Sequence, residues 1–233
     1  MTLSRIVVDA AESDADHLAL VDGDRTWTAG ELADDVARLT RRLLDLGVAP
    51  GDRIGVHLHK SAEGFIAMHA AVAVAAVAVP LDPNSPTARL SAIASSLGIS
   101  VIVSHGPRRR SVAEIGDRHE LHAVVGLDEP LDGIRTVTAA EVAEAAPSRP
   151  VLARADDRAY IITTSGSTGE PKGIVHTHGS ARAYVDASAA AFAVRPTDRV
   201  ADIAPHHDDI SPFALWVAPS AGATVIVVPE PHQ

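Results

Sequence analysis

The first sustained periodicity along the chain begins at Thr28. Leu32, Val36, Leu39, Leu43 and Leu46 recur at spacings of four, three, four and three, which puts them on one face of a helix. Thr28-Ala29-Gly30-Glu31 ahead of them is a capping box: the Thr hydroxyl meets the third amide and Glu31 reaches back to the cap. Gly47 supplies the stop. Pro50-Gly51-Asp52 then turns the chain, and residues 53–58 alternate as a strand should.

The same alternation of element types continues. A helix from about residue 61 leads to a strand at 76–80 and a turn at Asp82-Pro83-Asn84. A helix over 86–97 stops at Gly98, and 101–104 is a short buried strand. Strands alternating with helices imply an α/β fold of layered, mostly parallel sheets with packed helices. Residues 106–150 are less regular, with a strand at 121–125, a second capping box at Thr138-Ala139-Ala140-Glu141 and a connector at 147–150. Beyond it come a strand at 159–163, a glycine-rich loop, a strand at 173–177 and a helix over 180–192. Pro196-Thr197-Asp198 turns into a strand at 199–203; a polar cluster, a helix through Trp216 and a strand at 224–228 follow. Residues 229–233 come straight after that strand, so the chain reads as stopping mid-fold.

One apolar stretch calls for a membrane test. Residues 64–81 carry no formal charge and are nearly long enough to span a bilayer. They are mostly alanine and valine, with His69 and Pro80 inside, and alanine gains little on transfer to lipid. A buried helix running into a buried strand explains them better. The 233 residues, 46% hydrophobic and 21% charged, suit one large globular domain or two small ones. A formal charge of −10 argues against a nucleic-acid binder. The basic run Arg108, Arg109, Arg110 sits beside Gly106 and Pro107 and reads as a solvated loop. With no cysteine there is no disulfide, thiolate metal site or cysteine nucleophile, which fits a reducing, cytoplasmic compartment. The first sixteen residues hold one Arg, four acids and no apolar core, so they do not form a secretory signal.

The candidate chemistry lies in Thr164-Ser165-Gly166-Ser167-Thr168-Gly169-Glu170-Pro171-Lys172-Gly173. Glycines let successive amides approach an anion, the four hydroxyls add donors, and Lys172 adds a full charge in a chain whose only other lysine is Lys60. This is not a Walker loop. Counting from Gly166, the sixth position is Pro171, and Gly173 stands where a magnesium-binding Ser or Thr would follow the lysine. The dinucleotide fingerprint is absent as well. On composition alone, a flexible Ser/Gly hairpin loop stays open.

The run T-T-S-G-S-T-G-E-P-K-G-I-V-H-T-H closely resembles the phosphate-loop signature of the adenylate-forming superfamily. That superfamily holds acyl- and aryl-CoA ligases, luciferases and the adenylation domains of nonribosomal peptide synthetases. T-W-T-A-G-E-L from Thr26, V-A-P-G-D-R-I-G-V from Val48 and V-A-V-P-L-D-P-N-S-P-T-A-R-L from Val77 resemble companion motifs in the same order. The resemblance covers the chain from about residue 15 and implies a partial N-terminal domain over 1–233. Residues 15–150 would form a first α/β part and 151–233 the phosphate-loop part. It further implies that Thr164, Ser165, Gly166, Ser167, Thr168, Gly169 and Lys172 hold the β- and γ-phosphates of ATP, with Mg²⁺ assisting. Thr164 and Lys172 are its catalytic candidates. A carboxylate would displace pyrophosphate in line, so catalysis would be positioning and charge neutralisation. The thiol that later accepts the acyl group would be coenzyme A or a carrier-protein phosphopantetheine.

His206-His207-Asp208-Asp209-Ile210-Ser211 invites a metal reading, but adjacent side chains on a strand point opposite ways, so no metal is assigned. A solvated polar loop is the plain alternative. The segment resembles H-F-D-x-S of amino-acid-activating members, with Asp209 and Ser211 in place and Asp208 where the aromatic belongs. By that resemblance Asp209 pairs with a substrate α-ammonium. L-D-P-x-x-P-x-x-R-L from Leu81 also looks more like the peptide-synthetase branch than the acyl- or aryl-CoA ligases. The family's adenine motif, ribose-binding aspartate, hinge and C-terminal lid are not found in these residues. The chain is therefore expected not to adenylate alone; a truncated gene, an incomplete sequence or one half of a split enzyme would each explain this, and a complementary C-terminal polypeptide or a carrier protein is a candidate partner. The rival class is a non-catalytic interaction module that pairs its sheet edge with another polypeptide.

Overall fold

The computed structural model describes residues 2–165 and 171–229, without the side chains of Ser165 and Pro171. The expected capping box forms on α2 (Ala29–Asp45): Glu31 N–H donates to Thr28 Oγ1 at 3.2 Å and Thr28 N–H to Glu31 Oε2 at 2.9 Å. All five periodic residues of this helix are buried. The helix follows a hairpin of β1 (Leu18–Asp22) and β2 (Arg25–Thr28), and ahead of that lies α1 (Ile6–Ser13). The apolar pattern did not announce these three elements. Each is short, and β1 buries fully only its central Leu20.

The middle of the chain alternates as expected. In order come β3 (Arg53–Val56), α3 (Ala62–Ala73), β4 (Val77–Pro80), α4 (Thr87–Leu97) and β5 (Ile99–Val103). Then follow α5 (Arg109–Gly116), β6 (Ala123–Leu127), β7 (Arg135–Thr138) and α6 (Ala139–Ala143), which carries the second capping box. The last third holds β8 (Arg158–Ser165), β9 (Pro171–Thr177), α7 (His178–Ala191), β10 (Arg199–Asp202) and β11 (Thr224–Val227). Between β10 and β11, the expected helix through Trp216 is a π-helical turn, Phe213–Val217, followed by Ala218–Ser220.

Two sheets result. The larger has the order β7-β6-β5-β3-β4-β8-β9, parallel throughout except for the antiparallel β8–β9 hairpin. The smaller has the order β10-β11-β1-β2, with β11 running parallel to both β10 and β1. Both sheets take strands from either side of residue 150. A core built from α1, α2, α3 and the inward faces of both sheets lies between them, and a second core under α4 and α5 covers the outer face of the larger sheet.

Burial on both faces corrects the alternation expected for residues 53–58. Ile54, Gly55 and Val56 are all buried, because a central parallel strand is covered by helices on each side. The uncharged stretch is likewise core: every residue of 67–81 is buried. Among the described residues, no helix is long and apolar enough to cross a membrane. The basic run is not a solvated loop. Arg108 donates to Pro83 O at 2.8 Å and contacts His59, while Arg109 and Arg110 open α5.

Candidate functional site

In the larger sheet β8 runs parallel to β4, so its last residues reach the same edge as the carboxyl ends of β3 and β4. The hairpin register sets Thr164 opposite Lys172 and Ser165 opposite Pro171. Side chains paired across antiparallel strands share a face with their Cβ atoms about 5 Å apart. Thr164 and Lys172 are both exposed, so a hydroxyl and an ammonium sit side by side in solvent at the mouth of the loop. Gly166, Ser167, Thr168 and Gly169 lie outside the described residues, as does the Ser165 side chain. Gly173 has its own reason to be glycine. A Cβ there would come within 2.8 Å of Ile161 and 3.4 Å of Leu97, so its absence lets the hairpin pack against α4.

The histidines of the loop signature are structural. His176 pairs with Tyr160 across the hairpin and their rings stack at 4.5 Å, while burial holds His176 below its ordinary pKa. Tyr160 also stacks on Trp216, and burial pushes its hydroxyl up to about 12. His178 is fully buried and accepts from Leu3 N–H at 3.3 Å, which ties the start of the chain to the start of α7.

The second cluster docks against the same edge. Lys60, at 7% exposure, donates from Nζ to Ile203 O at 2.7 Å. It is therefore a strut between the loop after β3 and the loop after β10, which leaves Lys172 as the lysine presented to solvent. His206 is buried over α3, where a Cβ on Gly64 would come within 3.0 Å of its Nδ1. Its Nε2 lies 3.0 Å from Asp202 Oδ2, also fully buried. His207 Nε2 stands 3.8 Å from Asp82 Oδ1, so the segment at 206–211 meets the Leu-Asp-Pro motif. Burial opposes ionisation of Asp82, but bonds from the Asn84 amide and Ser85 hydroxyl outweigh it and keep its pKa low.

The two substrate candidates part company here. Asp209 is exposed. Ser211 is buried, with its Oγ 2.8 Å from Asp208 O and 3.0 Å from His206 O, so its hydroxyl fastens its own loop. The solvated-loop reading of this cluster fails for His206 and Ser211 and suits Asp208 and Asp209. Among the described residues, no three His, Asp, Glu or Cys side chains converge as metal ligands. Sequence spacing could not reveal that Lys60, Gly64 and Asp202 belong with His206, because the contacts join different elements.

The family model for AMP-binding enzymes matches residues 7–233. The phosphinothricin tripeptide synthetase PhsC of Streptomyces viridochromogenes is 35% identical over 230 residues, 98% of this chain and 20% of that protein. The L-proline--[L-prolyl-carrier protein] ligase of Pseudomonas fluorescens is 35% identical over 215 residues, 91% of this chain and 42% of its own length. Among solved structures, the nonribosomal peptide synthetase FmoA3 superposes with a TM-score of 0.83 at 29% identity, over 100% of this chain and 23% of that one. The N-terminal domain of FACL13 from Mycobacterium tuberculosis shares the fold, with a TM-score of 0.84 at 23% identity over 100% of this chain and 58% of that one. The chain thus spans between a fifth and about two fifths of these two curated relatives.

Proposed function

The chain belongs to the AMP-binding enzyme family, and from that premise we propose that it supplies the phosphate-holding part of an amino-acid-activating, AMP-forming ligase. The observation that carries the reading is the cross-strand pair Thr164–Lys172, exposed at the carboxyl end of β8 and flanking the Ser/Gly loop. A polyphosphate fits this donor set: a cation, a neighbouring hydroxyl, and backbone amides on a glycine-rich connection. ATP is the substrate. An oxygen of the amino acid's carboxylate attacks the α-phosphorus, a new O–P bond forms, the bond to the β-phosphate bridge breaks, and pyrophosphate leaves with the electron pair. Lys172 would hold the negative charge of the β- and γ-phosphates, and Thr164 would donate beside it. Ser165, Gly166, Ser167, Thr168 and Gly169 would complete the cradle. Mg²⁺ would supply further charge neutralisation on the phosphates.

Asp209 is proposed to pair with the α-ammonium of the substrate, while Ser211, through its loop bonds, keeps the segment in shape. The names of the two curated relatives, a peptide synthetase and a prolyl ligase, support an amino acid over an aryl or fatty acid. A carrier-protein phosphopantetheine would then accept the acyl group. We also propose a complementary C-terminal polypeptide as partner. In support, β9 is an outer strand whose Ile174 and Val175 are each 49% exposed.

The test is amino-acid-dependent ATP–pyrophosphate exchange, with the chain assayed together with a polypeptide carrying the later family motifs. Exchange should appear with amino acids, and Asp209→Ala should reduce it. Exchange equal in wild type and Asp209→Ala would remove the α-ammonium assignment; exchange driven only by aryl or fatty acids would remove the amino-acid reading.

A further inference from the structure

Asp209 sits on the stretch between β10 and the π-helical turn, and that stretch is pinned at both stems. On the incoming side Asp202 pairs with Val227 in the smaller sheet, Val228 N–H donates to Asp202 O at 3.1 Å, and Lys60 holds Ile203 O. On the outgoing side Leu215 N–H donates to Ser211 O at 3.0 Å and Phe213 N–H to Ile210 O at 3.3 Å. Between the stems the tip is shaped by bonds that return to Pro205, His206 and Asp208. Asp208 N–H donates to Pro205 O at 2.9 Å, Ser211 N–H to Asp208 O at 3.2 Å, and the Ser211 hydroxyl reaches both His206 O and Asp208 O. Asp209 is exposed within this tip. The backbone of His206 is thus one of the points from which the tip hangs.

The His206 ring is itself held on two sides. Its Nε2 lies 3.0 Å from Asp202 Oδ2, and the two residues are buried, at 3% and 0% exposure. Its Nδ1 edge faces α3 at Gly64, where a Cβ would come within 3.0 Å of Nδ1 and 2.9 Å of His59 O. Gly64 N–H donates at 3.1 Å to the hydroxyl of Ser61, the cap of α3, so the wall beside the ring is the anchored end of a helix. Asp202 Oδ1 and His206 Nδ1 are buried without hydrogen-bond partners among the described residues. The one bond between the side chains therefore only partly offsets the cost of taking them out of water. Apolar side chains of the same shape would serve stability as well or better. What they could not supply is direction. A hydrogen bond constrains the rotation of the ring, whereas an apolar contact constrains it far less.

On the reading that Asp209 meets the substrate's α-ammonium, we propose that Asp202 and His206 are positioning residues: their bond, braced on Gly64, orients the tip so that the Asp209 carboxylate is presented to the amino acid. Both are buried and act through Asp209.

Replacing both partners separates direction from stability. Asp202→Leu with His206→Met keeps the space filled by apolar groups and should leave the urea midpoint of the 233-residue chain close to that of wild type. Amide hydrogen exchange in the same chain should nonetheless be about tenfold faster at Asp208 and Ser211, the protection lost with one hydrogen bond, and unchanged in β5. In the complemented enzyme the KM for the amino acid in ATP–pyrophosphate exchange should rise about tenfold, while the KM for ATP stays within about twofold. A second pair of variants serves if the double variant does not fold. His206→Gln carries an amide nitrogen to where Nε2 stands and should keep both readouts at the wild-type level. His206→Asn carries it only as far as Nδ1 and should reproduce the losses. In an Asp209→Ala background none of these changes should move the amino-acid KM further. Turn amides protected as in wild type, an equal rise in both KM values, or an Asn variant that matches the Gln variant would overturn the proposal. Asp209→Ala without effect would remove the α-ammonium assignment and this proposal with it. An effect of Asp209→Ala with none from the double variant would overturn this proposal alone.

Discussion

Strands β4 and β8 are neighbours in one sheet, yet the segments they belong to are built for opposite ends. From α3 into β4, every residue of 67–81 is buried and none is charged. In the β8–β9 hairpin, Thr164, Lys172, Gly173, Ile174 and Val175 are all exposed. The first segment is wrapped by helices and by both sheets, so its side chains contribute by being removed from water. The second projects from the sheet edge and keeps these side chains in water, where the proposed phosphate contact would be made. The buried segment and the proposed phosphate site are therefore joined by a single strand pairing, Ala78 to Tyr160. Mutations should still separate their roles.

The largest expected effect is acid destabilisation of the buried segment. Burial lowers His69, whose Nε2 donates to Leu215 O at 2.9 Å, to about 3, and lowers His57, with help from Arg108, His105 and His59, to about 4. In the unfolded chain both return to about 6.5 and bind protons more readily. Their stability contribution is thus whole above about pH 6.5 and is lost as pH falls from there toward about 3, by several kcal/mol for the pair. Urea unfolding across that window should show the decline, and His69→Met should flatten part of it. Exposed histidines would titrate without such a slope.

Phe65→Ala is next. Phe65 is fully buried and its ring lies 4.5 Å from that of His69, so truncation should cost about 3–5 kcal/mol in a denaturant titration. Lys172→Ala is the converse test. It should change stability by less than about 0.5 kcal/mol, because the side chain is exposed. In the complemented enzyme it should lower ATP–pyrophosphate exchange about 10–100-fold, the worth of one charge-assisted contact. Full exchange activity in that variant would end the division of labour proposed for the hairpin. The smallest effect is a gain. Ala193, exposed just beyond α7, has φ of +49°, a left-handed conformation that costs alanine about 1 kcal/mol relative to glycine. Ala193→Gly should raise the melting temperature by a few degrees at most.

How much was legible depended on whether a segment has two different sides. Helix α2 lies with one face on the core and one in water, so its leucine spacing and its Thr28–Glu31 cap could be read directly and all proved correct. Gly98 at the end of α4 adopts the left-handed conformation its position as a stop required. Helix α3 beyond Glu63 and strand β3 beyond Arg53 are covered on nearly every side, so they have no polar face to generate a period. Short elements such as β1 and α1 hold too few buried residues to stand out. At the candidate site, the Ser/Gly loop and its lysine were evident in the chain. The roles of His176, His178 and Lys60 as struts were not, since each depends on a partner far away in sequence.

The order of residues alone determined the alternation of helices and strands, the positions of the caps and stops, and the grouping of hydroxyls, glycines and a lysine in one loop. These are local properties, set by backbone conformation and by which residues fall within a few positions of one another. Only the tertiary structure decided that β11 inserts between β10 and β1, joining Val225 to Leu20 across the chain. It likewise decided that His206 packs over Gly64 and that Lys60 bonds to Ile203 O. Such pairings follow from burying apolar faces collectively, and no short stretch of chain carries that information.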